Sequence, residues 1–219
     1  MSSNSDNNIV SSEKPGLSRY SSDLIKRGLD LANKSQFIND EVAYYLRGLD
    51  RAELGDYQGA VEDYTQVLRI NPLGFWQAYY LRGLARAELE DYQGAIEDFT
   101  QYLDFDRTHT SSYYNRGNAR YKLEEYQGAI DDYTQSIQFP YSATGVWGQS
   151  DDENDAYINR GNARAALGEY QGAIDDYTQS IQIGLNNIEA YKRRSMALSA
   201  LGDYQGAVDD LRRATNQRH

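Results

Sequence analysis

An all-α fold, built as a solenoid of helix-turn-helix units, is predicted by three observations. The segment Asp-Tyr-Gln-Gly-Ala recurs five times, from Asp56, Asp91, Glu125, Glu169 and Asp203, with Glu for Asp in the third and fourth copies. Successive copies lie 35, 34, 44 and 34 residues apart, and self-similarity at such a period marks units that bury their apolar faces only against neighbours. The chain of 219 residues holds only three Pro, which suits long helices, and no Cys, which leaves neither a disulfide framework nor a thiolate metal site.

Residues 1–18 are rich in Ser and Asn and lack apolar periodicity, so they read as a disordered tail. Residues 19–40 hold a predicted helix from about Ser22 to Lys34, carrying Leu24, Ile25, Leu29 and Leu31, and a linker. Arg27 to Asp30 echo Arg47 to Asp50, but the spacing is too short for a full repeat, so a capping helix is expected. Five units then fill residues 41–215, at about 41–74, 76–108, 110–140, 154–187 and 188–215. The ten extra residues fall in a stretch expected to be a loop, 141–155, with Trp147 and the acids Asp151, Asp152, Glu153 and Asp155. Such an excursion is either a tolerated surface loop or part of a binding face.

Each unit opens with the same half. Tyr-x-x-Arg-Gly-x-x-Arg reads Tyr44, Arg47, Gly48, Arg51 in the first, and recurs from Tyr79, Tyr113 and Tyr157. The fifth copy decays to Tyr191, Arg194, Ser195 and Leu198, as a terminal cap would. First helices are predicted to end near Leu54, Leu89, Leu123, Leu167 and Leu201, with Gly55, Gly168 and Gly202 placed to close three of them in left-handed backbone. The Asp or Glu that follows is placed to accept from free amides of the second helix. Gly59, Gly94, Gly128, Gly172 and Gly206 fall in that first turn, where close approach between helices is their expected purpose.

Second helices carry Ala60, Ala95, Ala129, Ala173 and Ala207, each followed four residues later by Tyr64, Phe99, Tyr133, Tyr177 or Leu211. That spacing puts a small and a large residue on one face. With these residues the chain resembles the tetratricopeptide repeat family over roughly Glu41 to Thr215, and the resemblance implies a right-handed superhelical solenoid. The wording Asp-Tyr-Gln-Gly-Ala-Ile-Asp-Asp-Tyr-Thr-Gln is similar to that of members abundant in cyanobacteria. The match departs from the family pattern where Arg replaces the Leu before the Gly and the next aromatic, and only Pro72 stands where a closing Pro is usual.

The two residues of each Arg pair, such as Arg47 and Arg51, share a helical face beside positions the family fills with apolar groups. Asp63, Asp98, Asp132, Asp176 and Asp210 recur at the same rate. One reading is a ladder in which Arg82, Arg116, Arg160 and Arg194 each bond the Asp of a neighbouring unit. The other is an anion-binding stripe, which the formal net charge of -11 opposes. The same charge, with no basic run against it, excludes nucleic acid as an expected partner.

No apolar stretch approaches a membrane span and no signal peptide is recognisable, so a cytoplasmic protein without membrane insertion is expected. His109 and His219 are the only histidines, and neither stands in a metal spacing. With no nucleophile elbow or nucleotide loop, the sequence predicts no enzyme, no cofactor and no metal.

The resemblance implies a concave groove lined by one face of the first helices. Carried over by position, its peptide-binding residues are Tyr45, Leu49, Tyr80, Leu84, Tyr114, Asn118, Tyr121, Ile158, Asn159, Asn162, Lys192 and Arg193. The Tyr stripe with Asn beside it suits apolar contact plus hydrogen bonding to a peptide backbone. Alternatively, the tyrosines pack against one another. A carboxylate clamp known in the family would match Asn118, Asn159 and Arg193, but Tyr114 and Glu189 stand where it needs Lys. The expected function is a non-catalytic scaffold holding a protein or peptide partner. The alternatives are a self-assembling structural protein and, by resemblance, an assembly chaperone of photosynthetic complexes. A monomer and a weak homodimer are both compatible with the sequence.

Overall fold

A computed structural model describes residues 39–138, 149–184 and 187–216. The expected tail lies outside these residues, as does the expected capping helix. Asn39 caps the first described helix. Ten helices occupy the described residues: α1 Asp40–Glu53, α2 Tyr57–Ile70, α3 Gln77–Glu88, α4 Tyr92–Phe105, α5 Thr110–Lys122, α6 Tyr126–Gln138, α7 Gln149–Ala166, α8 Tyr170–Ile183, α9 Ile188–Ala200 and α10 Tyr204–Asn216. Each packs on its neighbours in sequence, and narrower contacts join α3 to α5, α5 to α7 and α7 to α9. This nearest-neighbour pattern is the predicted all-α solenoid.

One boundary differs from expectation. Helix α7 begins at Gln149, so residues 149–155 are helical rather than loop. The first helix of unit four is thereby longer at its N-terminal end than those of the other units. Asn154, in this extension, explains why the extra turn is retained. Its Oδ1 accepts from Ser180 Oγ at 2.7 Å and from Asn187 Nδ2 at 2.8 Å, tying α7 to α8 and to the cap of α9.

The turns inside the units follow the sequence closely. Asp56, Asp91 and Asp203 each accept a hydrogen bond from the amide of the Gly three residues on. Glu169, one carbon longer, makes no such bond. Gly55, Gly168 and Gly202 have φ of 82°, 79° and 86°, the left-handed closure predicted for them. Units two and three close the same way without Gly, through Glu90 at 62° and Glu124 at 60°. An L side chain is strained there.

The core is one recurring lock. Ala60, Ala95, Ala129 and Ala173 are fully buried, and so, within a few per cent, are Tyr64, Phe99, Tyr133 and Tyr177. Each ring lies against the Gly of the preceding Arg-Gly pair: a Cβ on Gly48 would come within 2.7 Å of Tyr64 and one on Gly83 within 2.8 Å of Phe99. The pentapeptide glycines have a different task from the one expected. A Cβ on Gly94 would meet the capping Asp91 carboxylate at 2.3 Å, and one on Gly128 would meet Arg120 Cδ at 3.1 Å. They make room for a cap and an arginine, not for another helix.

Candidate peptide groove and the arginine nodes

The two recurrent halves of a unit meet at an ion cluster. Arg116 donates from Nε and Nη2 to Asp132 at 3.0 and 2.7 Å, while Arg120 Nη1 reaches the same carboxylate at 2.8 Å. The arrangement repeats at Asp98 with Arg82 and Arg86, at Asp176 with Arg160 and Arg164, and at Asp63 with Arg47 and Arg51. Every one of these Asp residues is buried, so the forks offset a desolvation cost that the carboxylate could not bear alone. The Tyr that opens the motif covers the guanidinium, with Arg Cζ to ring-centroid distances from 5.2 to 5.7 Å in all five units.

These pairs correct the expected ladder. Arg and Asp belong to the same unit, because α5 and α6 of unit three face each other across the turn. What each of these arginines sends across the seam is one weaker bond. Nη1 of Arg82, Arg116, Arg160 and Arg194 donates to Thr65, Thr100, Thr134 and Thr178 of the unit before, at 2.9 to 3.1 Å. An anion stripe is poorly served, since all three donor nitrogens of Arg116 are engaged. The open cleft beside it, about 300 Å³, also presents Asp131 and Asp132.

The positions predicted to line the groove divide into two sets. Leu49 and Ile158 are buried and belong to the core, a correction to their expected role. Leu84 is half-buried against the Phe99 cluster. Asn162 accepts from the buried Tyr177 hydroxyl at 2.9 Å, and Asn118 accepts from Tyr133 at 2.8 Å. Burial pushes both phenols above the usual tyrosine range, which keeps them protonated donors. Where unit two has Phe99, its facing residue is Leu84 and no such bond is needed.

Tyr45, Tyr80 and Tyr114 are half-buried, each with its ring on the second-helix aromatic of its own unit, at centroid distances of 6.3, 5.8 and 6.0 Å. The stripe is therefore held by the scaffold. Its hydroxyls are tied forward: Asn115 Nδ2 donates to Tyr80 and Asn159 Nδ2 to Tyr114, both at 3.2 Å. Asn159 also donates to Asn118 at 3.1 Å. Asn115 escaped the sequence reading. Aligning the units would have found it, for Asn115 and Asn159 stand where units one and two carry Leu46 and Leu81.

The remaining predicted residues stand apart from this ladder. Tyr121 packs edge-on against Tyr126 at 5.4 Å. Lys192 is half-buried, and exposed Arg193 pairs with Glu189 at 2.7 Å. That pairing sets a carboxylate of the chain itself where a clamp would need a Lys. Among the described residues no group of three or more His, Asp or Glu is placed to hold a metal ion.

Tetratricopeptide repeat models match residues 45–110, 111–139 and 155–185. The chain belongs to the tetratricopeptide repeat family. Among solved structures, this repeat protein is similar to MamA at 26% identity and TM-score 0.72, over 81% of this chain and 91% of that one. A MamA fragment from Desulfovibrio magneticus RS-1 superposes with TM-score 0.72 at 16% identity, covering 83% and 96%. YrrB, described as a TPR protein with an unusual peptide-binding site, shares the fold at 15% identity and TM-score 0.70, over 88% and 91%. A search of the curated proteins gave no match. No helix among the described residues is long and apolar enough to cross a membrane.

Proposed function

We propose that this repeat protein is a non-catalytic scaffold that holds an extended peptide segment of a partner protein along its first helices. The observation that carries the reading is the Tyr–Asn ladder, in which Tyr80 and Tyr114 are fixed by Asn115 and Asn159 of the following units. Rings fixed on a rigid surface offer apolar contact at little entropic cost, and neighbouring amides of Asn118 and Asn159 can bond a peptide backbone. The reading is supported by the likeness of fold to YrrB, described as a TPR protein with an unusual peptide-binding site.

A displayed library of random peptides, selected on the full chain, tests the proposal. Selected peptides are expected to lose about tenfold or more in affinity for Tyr80→Ala with Tyr114→Ala, the scale of two truncated aromatic anchors. Equal binding to parent and variant, with helicity unchanged, would place recognition elsewhere.

A further inference from the structure

The inner seams cover the same face of each second helix, wholly or in part. In unit three that face carries Ile130, 7% exposed, and Tyr133, 1% exposed, covered by the first helix of unit four. On α10 the corresponding Val208 and Leu211 stand open at 50% and 49%, with Tyr204 one turn before them 71% exposed. A sixth first helix would cover them. The sequence refuses one of its own kind, because the seam hydroxyl of Thr65, Thr100, Thr134 and Thr178 is replaced at this register by Arg212. A second copy arriving head to tail would bring Arg47 against Arg212, a cation against a cation.

We infer that the α10 face is the contact of a two-fold dimer, α10 packed antiparallel on α10 of a second copy. The charge along the helix is self-complementary in that sense only. The N-terminal end bears exposed Asp203, and at the C-terminal end Arg212, more than half exposed beside Asp209 at 3.6 Å, lies on the same face as Val208. An antiparallel crossing sets each acidic end beside the partner's basic end, aligns the helix dipoles favourably and brings Val208 and Leu211 together near the axis. It also brings Tyr204 within reach of the partner's Arg212, the ring-and-guanidinium pairing that each unit already uses internally. A parallel contact loses the charge and dipole complementarity, and a head-to-tail contact sets Arg47 against Arg212.

Sedimentation of the full chain across the micromolar range tests the inference. A concentration-dependent dimer is expected, and Val208→Asp should weaken it by about tenfold or more, since each copy then brings a carboxylate to the axis. Val208 is half exposed, so the monomer fold survives, which circular dichroism checks. Val208→Cys supplies the only thiol in a chain without Cys, and a disulfide-linked dimer should form readily. Arg212→Thr restores the seam hydroxyl, so open-ended species longer than a dimer are expected in that variant alone. A monomer throughout, a dimer indifferent to Val208→Asp, or long species in the parent would each overturn the two-fold arrangement. Tyr80→Ala with Tyr114→Ala should leave the dimer unchanged, which separates this contact from the peptide groove.

Discussion

Unit three and unit five carry the same motif and differ at three of the positions that pack around its buried Asp. Around Asp132 stand two guanidinium groups, with Gly117 admitting the Tyr133 ring. Around Asp210 the strong fork from Arg194 persists, but Leu198 has replaced the second Arg, Ser195 the Gly and Leu211 the aromatic, and the nearest further cation is exposed Arg213 at 3.7 Å. The substitutions track one physical fact. A ring that no described helix covers gains little from burial, so the Gly that admits it and the arginine beneath it lose their use together.

The largest test of that comparison removes the ring. Tyr133→Ala should cost about 3–5 kcal/mol in urea unfolding, the range for truncating a buried aromatic, whereas Leu211→Ala should cost under about 1. Equal costs would mean that the end unit packs as tightly as the inner ones. Next comes the ion cluster. Arg116→Ala strips two of the three ionic bonds from a buried carboxylate and should cost on the order of 3 kcal/mol, against well under about 1 for exposed Arg213→Ala. Because the lost bonds lie mostly within unit three, the first loss should be of that unit's own stability, read as reduced amide-exchange protection in α5 and α6.

Alkali distinguishes the units differently. The Tyr133 and Tyr177 phenols are raised by burial, so their protonated form is favoured in the folded state. Their contribution is complete below the ordinary tyrosine value of about 10 and is lost as pH rises beyond it, with a slope of about 1.4 kcal/mol per pH unit for each group. Unfolding midpoints measured from neutral to strongly alkaline pH should show this slope, and Tyr133→Phe with Tyr177→Phe should flatten it. The smallest effect lies at the turns: Glu124→Gly should stabilise by about 1 kcal/mol, while Gly168→Ala, imposing on unit four the strain that unit three carries, should cost a similar amount. Melting temperatures of the two variants moving in the same direction would contradict the assignment.

Much of this architecture was legible in the residues because a repeat states its rules several times. The period, the left-handed Gly closures, the Asp caps and the Ala with its aromatic all follow from spacing. The pairing of Arg with Asp was legible as well, but not its direction: both partners occur once per unit, so period alone cannot tell a bond within a unit from one between units. Geometry across the turn decides it, and the Thr that does cross the seam looked like an ordinary helical residue. The groove was harder. Leu49, Asn118 and Asn162 share one register and each faces a buried tyrosine, yet the first joins the core and the other two each serve the phenol, because only the asparagine side chains offer an acceptor. The extra length of α7 was concealed by an acidic run that reads as loop until Asn154 is seen joined to Ser180.

The closure of each ion cluster within its own unit bears on how such a chain could arise. When a gene segment is duplicated or lost at a unit boundary, the break falls between an Arg and the Thr before it, and a copied unit meets an identical Thr. No buried carboxylate is ever separated from its guanidinium partners by such an event. The unit is thus a heritable module whose charges balance before it has any neighbour, and lengthening the array requires no compensating mutation until an end is reached.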